Sequence, residues 1–87
     1  MFIGYTITDK LLCLEYRDKY EKEEESDLYI EVTKVNDTQE LKVVVCVEKY
    51  SGERDNIYVG DYNLMEPNIR VLVENKLNNE LAYRKFL

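Results

Sequence analysis

Residues 2–8 alternate, with Ile3, Tyr5 and Ile7 on one side and Phe2, Gly4 and Thr6 on the other, the period of two that predicts a short strand. From Lys10 to Glu25 the chain turns to Leu, Lys, Glu and Tyr without Gly or Pro, and Asp9 stands where an N-cap would, so this stretch is expected to be a helix. Its apolar seam would be Leu12, Tyr16 and Tyr20 at steps of four, flanked by Cys13, with Glu15/Lys19, Asp18/Lys22 and Lys19/Glu23 as opposite-charge pairs at the same spacing. A hairpin competes with it, in which Tyr5–Ile7 turns through Thr8-Asp9-Lys10 into Leu11–Tyr16.

Beyond Ser26-Asp27 the period returns to two. Leu28, Ile30 and Val32 share a face, and Asn36-Asp37-Thr38 supplies a turn into Leu41–Tyr50. There Leu41, Val43, Val45 and Val47 oppose Val44 and Cys46, so both faces are expected to be covered. Ser51-Gly52 and Asp55-Asn56 bracket a loop before a third strand, Ile57–Val59, which ends at Gly60-Asp61. Pro67 opens a final helix whose seam is Ile69, Val73, Leu77 and Leu81, with Leu72 beside it and Arg84-Lys85 in the last turn. The expected fold is α+β, in the order β-α-β-β-β-α, with a three- to four-stranded antiparallel meander and two helices packed on one face.

With 87 residues, residues 1–87 are expected to form one compact domain, and 45% apolar with 34% charged residues is enough core former to fold. The absence of His removes Ser-His, Cys-His and His-metal chemistry. Met1–Asp9 lacks a basic n-region, and the longest apolar run, Val43–Val47, is far below the roughly 20 residues of a membrane span. A cytoplasmic protein is expected, that of the host cell if the chain is phage-encoded, with no membrane partner and with Cys13 and Cys46 reduced and buried.

The helix, three-strand, helix order expected over Asp9–Phe86 resembles that of double-stranded-RNA-binding domains. Those carry a basic cluster at the start of the last helix, whereas Glu66-Pro67-Asn68-Ile69-Arg70 has one cation and the chain carries a net charge of −6. Direct nucleic-acid binding is therefore rejected.

That charge is polarised. Glu15–Glu31 holds eight acids (Glu15, Asp18, Glu21, Glu23, Glu24, Glu25, Asp27, Glu31) and three bases (Arg17, Lys19, Lys22), a balance of −5, and the rest of the chain holds ten acids and nine bases, a balance of −1. On a helix, Glu15, Asp18, Glu21 and Glu24 would form an i, i+3 row with carboxylates roughly 5 to 6 Å apart, able to imitate a phosphate backbone. Glu23-Glu24-Glu25 would sit at the negative end of the helix dipole, where the fold gains nothing from them, and a solvated helix end is the bland alternative. Among the 8 Tyr, Tyr5, Tyr16, Tyr20 and Tyr58 are expected in or next to the core, and Tyr29, Tyr50 and Tyr62 outside it. Tyr29, between Asp27 and Glu31, is the one best placed to anchor an Arg or Lys of a partner.

Catalytic motifs are sparse. Glu40-Leu41-Lys42 matches half of a nuclease metal site, with Asp27 or Asp37 as a carboxylate for Mg²⁺, but triplets of this kind arise by chance in so charged a chain. Gly4, Gly52 and Gly60 are isolated, so no phosphate loop exists. In size, acidity and Lys/Asn/Glu/Tyr-rich composition, and in the run Glu21–Asp27, the chain resembles small phage-encoded inhibitors of bacterial defence, the anti-CRISPR proteins especially, and nuclease immunity proteins. This resemblance carries no motif and assigns no residue a role.

The expectation is thus a non-catalytic inhibitor without cofactor or metal. Its partner-binding residues, Glu15, Asp18, Glu21, Glu23, Glu24, Glu25, Asp27, Tyr29 and Glu31, would dock a basic nucleic-acid-binding protein or ribonucleoprotein and block its nucleic-acid site. The alternative is a structural or scaffolding module, with a homodimer through a free sheet edge, in which the acids only keep the chain soluble.

Overall fold

The structure, a computed structural model, describes residues 1–20, 24–35, 38–49 and 51–87, with the backbone alone at 18–20, 24 and 25. Five strands, β1 (Phe2–Ile7), β2 (Leu11–Tyr20), β3 (Glu24–Lys34), β4 (Leu41–Lys49) and β5 (Arg54–Asp61), form one antiparallel sheet in the order β1-β2-β3-β4-β5. A 3₁₀ turn at Tyr62–Leu64 leads into helices α1 (Pro67–Asn78) and α2 (Leu81–Phe86). The α+β class and the antiparallel meander stand, but the sheet has five strands rather than the three or four expected, because residues 11–20 add a strand in place of a helix. The expected order does not stand, because every strand precedes both helices.

The stretch expected to be a helix is instead the second strand, paired with β1 from Phe2↔Tyr16 to Ile7↔Leu12 and with β3 from Leu11↔Thr33 to Tyr20↔Glu24. Steps of four satisfy a period of two as well as a period near 3.6, so Leu12, Tyr16 and Tyr20 could not separate the alternatives. Leu14 does. A helix would turn it about 200° from Leu12, away from the seam, whereas Leu12, Leu14 and Tyr16 are all buried on one face of β2. The competing hairpin is the structure adopted, and Thr8 closes it. Its Oγ1 accepts the N–H groups of Lys10 and Leu11 at 3.3 and 3.0 Å, and its own N–H donates to the Leu11 carbonyl at 2.8 Å. With this strand in place the chain no longer shares the order of double-stranded-RNA-binding domains.

Thr38 acts similarly between β3 and β4, donating to the Val35 carbonyl and accepting from Glu40 N–H. The rest of that turn, Asn36 and Asp37, lies outside the described residues, as does Tyr50. Between β4 and β5 the turn runs through Gly52 at φ 89°, a left-handed conformation that suits a residue without Cβ. The fifth strand begins at Arg54, earlier than expected, and a bulge at Ile57 shifts its register between Val45↔Tyr58 and Cys46↔Asn56.

The core lies between one face of the sheet and the helices. Leu12, Leu14, Ile30, Val32, Val43 and Val45 are wholly excluded from solvent against Met65, Val73, Leu77, Ala82 and Phe86. The final helix breaks at Asn78-Asn79, with Glu80 extended at φ −110° and ψ 126°. This break takes Leu81 out of the expected seam, leaving it exposed, and turns Ala82 and Phe86 inward instead. Tyr16 spans the layers, its hydroxyl 3.4 Å from the Lys76 carbonyl and from Glu80 Oε1, with the Lys76 ammonium 4.3 Å from its ring centre. Burial beside Glu80 pushes its phenol well above the usual tyrosine range.

Tyr58 packs against the core as expected, donating to the Asp61 carbonyl at 2.6 Å. Tyr62, expected outside, also packs against it and donates to Glu74 Oε1, with the Arg70 guanidinium 5.8 Å from its ring centre. Tyr5, expected inside, is half exposed because the helices leave β1 largely uncovered. Among the described residues no helix is long and apolar enough to cross a membrane.

Candidate partner-binding face

One face of a five-stranded sheet carries the helices, and the register identifies what stands on the other. In β2 the residues alternating with Leu12, Leu14 and Tyr16 are Cys13, Glu15 and Arg17, and their β3 partners are Glu31, Tyr29 and Asp27. Those pair in turn with Val44, Cys46 and Glu48 of β4, and these with Val59, Asn56 and Arg54 of β5. Side chains directly opposite on neighbouring strands lie about 5 Å apart and those two along a strand about 7 Å apart. Glu15, Asp27, Glu31 and Glu48 therefore surround Tyr29 on a single surface.

The phenol of Tyr29 donates to Glu15 Oε1 at 3.2 Å, and the Arg54 guanidinium lies 5.3 Å from its ring centre. Partial burial, the acceptor Glu15 and the charges of Glu48 and Asp27 push this phenol up to about 12. Arg54 also donates twice to Glu48 Oε2, at 3.0 and 3.1 Å. Arg17 grips Asp27 through two donors, Nε to Oδ1 at 2.9 Å and Nη2 to Oδ2 at 3.4 Å, and so holds that carboxyl below the usual aspartate range. Both arginines are thus engaged with carboxylates. Among the described residues Glu15 and Glu31 have no ion-pair partner, so the face keeps an uncompensated negative centre.

The cysteines belong to this face. Cys46 is buried, with Tyr29 and Asn56 as cross-strand neighbours, while Cys13, expected buried, is half-buried between Glu15 and Glu31. Partial burial and then the charges of Glu31 and Glu15 push the Cys13 thiol up. With β3 between their strands and Cys46 two residues along from the position opposite Cys13, the two residues lie about 12 Å apart, beyond the Cα separation of roughly 7 Å that a disulfide bridges.

Of the nine expected partner-binding residues, the structure therefore brings Glu15, Asp27, Tyr29 and Glu31 together, on a sheet face rather than along a helix. A strand sends positions three apart to alternate faces, so no i, i+3 carboxylate row forms. Asp18, Glu24 and Glu25 belong to the far ends of β2 and β3, where the register is Asp18↔Ser26, Lys19↔Glu25 and Tyr20↔Glu24. Glu21 and Glu23 lie outside the described residues. Glu48 and Arg54 were missed. They were within reach of a parity argument, since Glu48 alternates with Val43, Val45 and Val47 in β4.

The half-motif Glu40-Leu41-Lys42 assembles nothing with Asp27. Asp27 pairs with Glu48, at the opposite end of β4 from Glu40, on the order of 25 Å away along the strand. Lys42 is held instead in an ion pair with Asp61. Asp37 lies outside the described residues, and among those described no group of three or more His, Cys, Asp or Glu could hold a metal ion. No protein-family model, no curated protein and no solved structure matches the chain.

Proposed function

We propose that this protein is a non-catalytic acidic inhibitor that uses the open face of its sheet to dock a basic, nucleic-acid-handling protein and occupy its nucleic-acid site. The carrying observation is the convergence of Glu15, Asp27, Glu31 and Glu48 around Tyr29, on the face opposite the helices, with Glu15 and Glu31 without an ion-pair partner among the described residues. The strands set Asp27 about 5 Å from Glu48 and Glu15 about 7–8 Å from Asp27 and Glu31, so little backbone order is lost on meeting a row of Lys or Arg. Tyr29 supplies an aromatic body in the middle of the charge, and its intramolecular contact with the Arg54 guanidinium supports a role in receiving a cation. An anionic surface on a chain of net charge −6 speeds encounter with a cationic groove and repels free nucleic acid. The resemblance in composition to small phage-encoded inhibitors points the same way.

The test is capture from bacterial lysate on the immobilised protein at low and high salt, followed by competition between this protein and nucleic acid for whatever is captured. A basic protein is expected to bind at low salt, to leave at high salt and to release its nucleic acid on binding. Glu15→Lys with Glu31→Lys is expected to weaken that binding at least about a hundredfold, close to 3 kcal/mol. Unchanged affinity of the double variant at low salt overturns the reading.

A further inference from the structure

The two edges of the sheet are built differently. β5 is guarded in the ways that discourage strand addition, with Arg54, Asp55 and Asp61 along it and a bulge at Ile57. β1, Phe-Ile-Gly-Tyr-Thr-Ile, has no charge and no proline. Its bulge lies at the Phe2/Gly4 end, leaving Gly4–Ile7 in regular register with Leu12–Glu15.

Thr8 N–H bonds the Leu11 carbonyl, which fixes Thr8 opposite Leu11 as a hydrogen-bonding pair. By antiparallel alternation the main-chain groups of Thr6 then point into the sheet, and those of Tyr5 and Ile7 point outward from its edge. The side chains along the same strand are apolar and open to solvent, with Phe2 37%, Ile3 40%, Tyr5 51% and Ile7 38% exposed.

We propose that the β1 edge pairs antiparallel with β1 of a second copy of this chain, joining two five-stranded sheets into one continuous sheet. Charge sets where a second copy can approach. Two chains of net charge −6 repel wherever their carboxylates meet, and among the described strands β1 is the one that brings none. A two-fold axis normal to the sheet near Tyr5 sets Tyr5 against its own copy and Ile7 near Ile3 of the other chain, a self-complementary arrangement. A strand about 20 Å long with these side chains buries on the order of 1,000 Å² in all, the low end for specific association. The dimer is therefore weak and concentration-dependent. Salt tightens it by screening the net repulsion, the opposite of its effect on partner binding at the open face.

Sedimentation of the intact protein across a concentration series, at low and high salt, tests this together with hydrogen exchange. The expected result is a monomer–dimer equilibrium that high salt favours, with the Tyr5 and Ile7 amides more protected in concentrated than in dilute protein. Tyr5→Lys, at a half-exposed position, is expected to raise the dissociation constant at least tenfold, and Val59→Lys on the opposite edge to leave it unchanged. A monomer at every concentration, edge amides whose protection ignores concentration, or a dimer lost through Val59→Lys each overturns the proposal. Should Tyr5→Lys fail to fold, the exchange measurement on the unsubstituted chain still decides.

Discussion

Leu14→Ala separates the strand from the helix at residues 11–20 by free energy alone. Leu14 is wholly buried, between Tyr5 of β1 and Ile30 of β3 in the sheet register and beneath the helices. Truncation removes three carbon groups at about 0.8 kcal/mol each, roughly 2.4 kcal/mol of transfer free energy. The cavity left in a close-packed layer brings the loss to about 3–4 kcal/mol, inside the usual range for buried Leu→Ala changes. A domain of this size has about 5–15 kcal/mol in total, so the variant folds with a much reduced margin. Urea unfolding followed by far-ultraviolet circular dichroism reads the effect. With a slope of about 1–3 kcal/mol per molar, the midpoint is expected to fall by at least about 1 M at unchanged slope. On a helix with a Leu12, Tyr16, Tyr20 seam, Leu14 would face away from the core and the change would cost under about 0.5 kcal/mol. A loss that small refutes the strand assignment and with it the open face.

Two further outcomes follow from the same surface. The Tyr29 phenol, raised to about 12, contributes stability that is complete below its unfolded value near 10 and lost as pH climbs from there through 12. Stability of the wild type is therefore expected to fall more steeply over that interval than that of Tyr29→Phe, with one late-titrating phenolate missing from the variant's ultraviolet titration; parallel curves would contradict the Glu15 contact. Half-buried Cys13 is expected to react with a disulfide reagent much faster than buried Cys46, yet more slowly than a free thiol at pH 8, because partial burial and then the charges of Glu31 and Glu15 oppose its thiolate. Glu31→Gln is expected to speed that reaction, and no change would place Glu31 away from the thiol.

What could be read from the sequence was whatever has a single period. Val43, Val44, Val45 and Val47 make a β-branched run too short for a helix, and Leu28, Ile30 and Val32 are unambiguous. Pro67 with Ile69, Val73 and Leu77 fixes a helix start and seam, but nothing before Asn78-Asn79 signals that the helix stops and restarts at a new angle. Leu12, Tyr16 and Tyr20 misled because their spacing is common to both periods, and the uninterrupted Lys/Glu composition around them favoured the helix. Of the acids singled out, Glu15, Asp27 and Glu31 share one face of the sheet, while Asp18, Glu24 and Glu25 lie at the far ends of β2 and β3. Their geometry was not legible, because a carboxylate's neighbours on a sheet belong to other strands and depend on register. Hence Glu15, Asp27, Tyr29 and Glu31 were found, and Glu48 and Arg54, remote in sequence, were not.

Placing both helices after all five strands has a consequence for synthesis. The sheet leaves the ribosome as successive hairpins, each able to close on its predecessor, while Leu12, Leu14, Ile30, Val32, Val43 and Val45 still lack the side chains that will cover them. At about 5–20 residues per second, α1 and α2 take a second to a few seconds to follow. For the interval between emergence of β5 and of α2 the sheet is an oily plate with one acidic side, open to any chaperone or neighbouring chain.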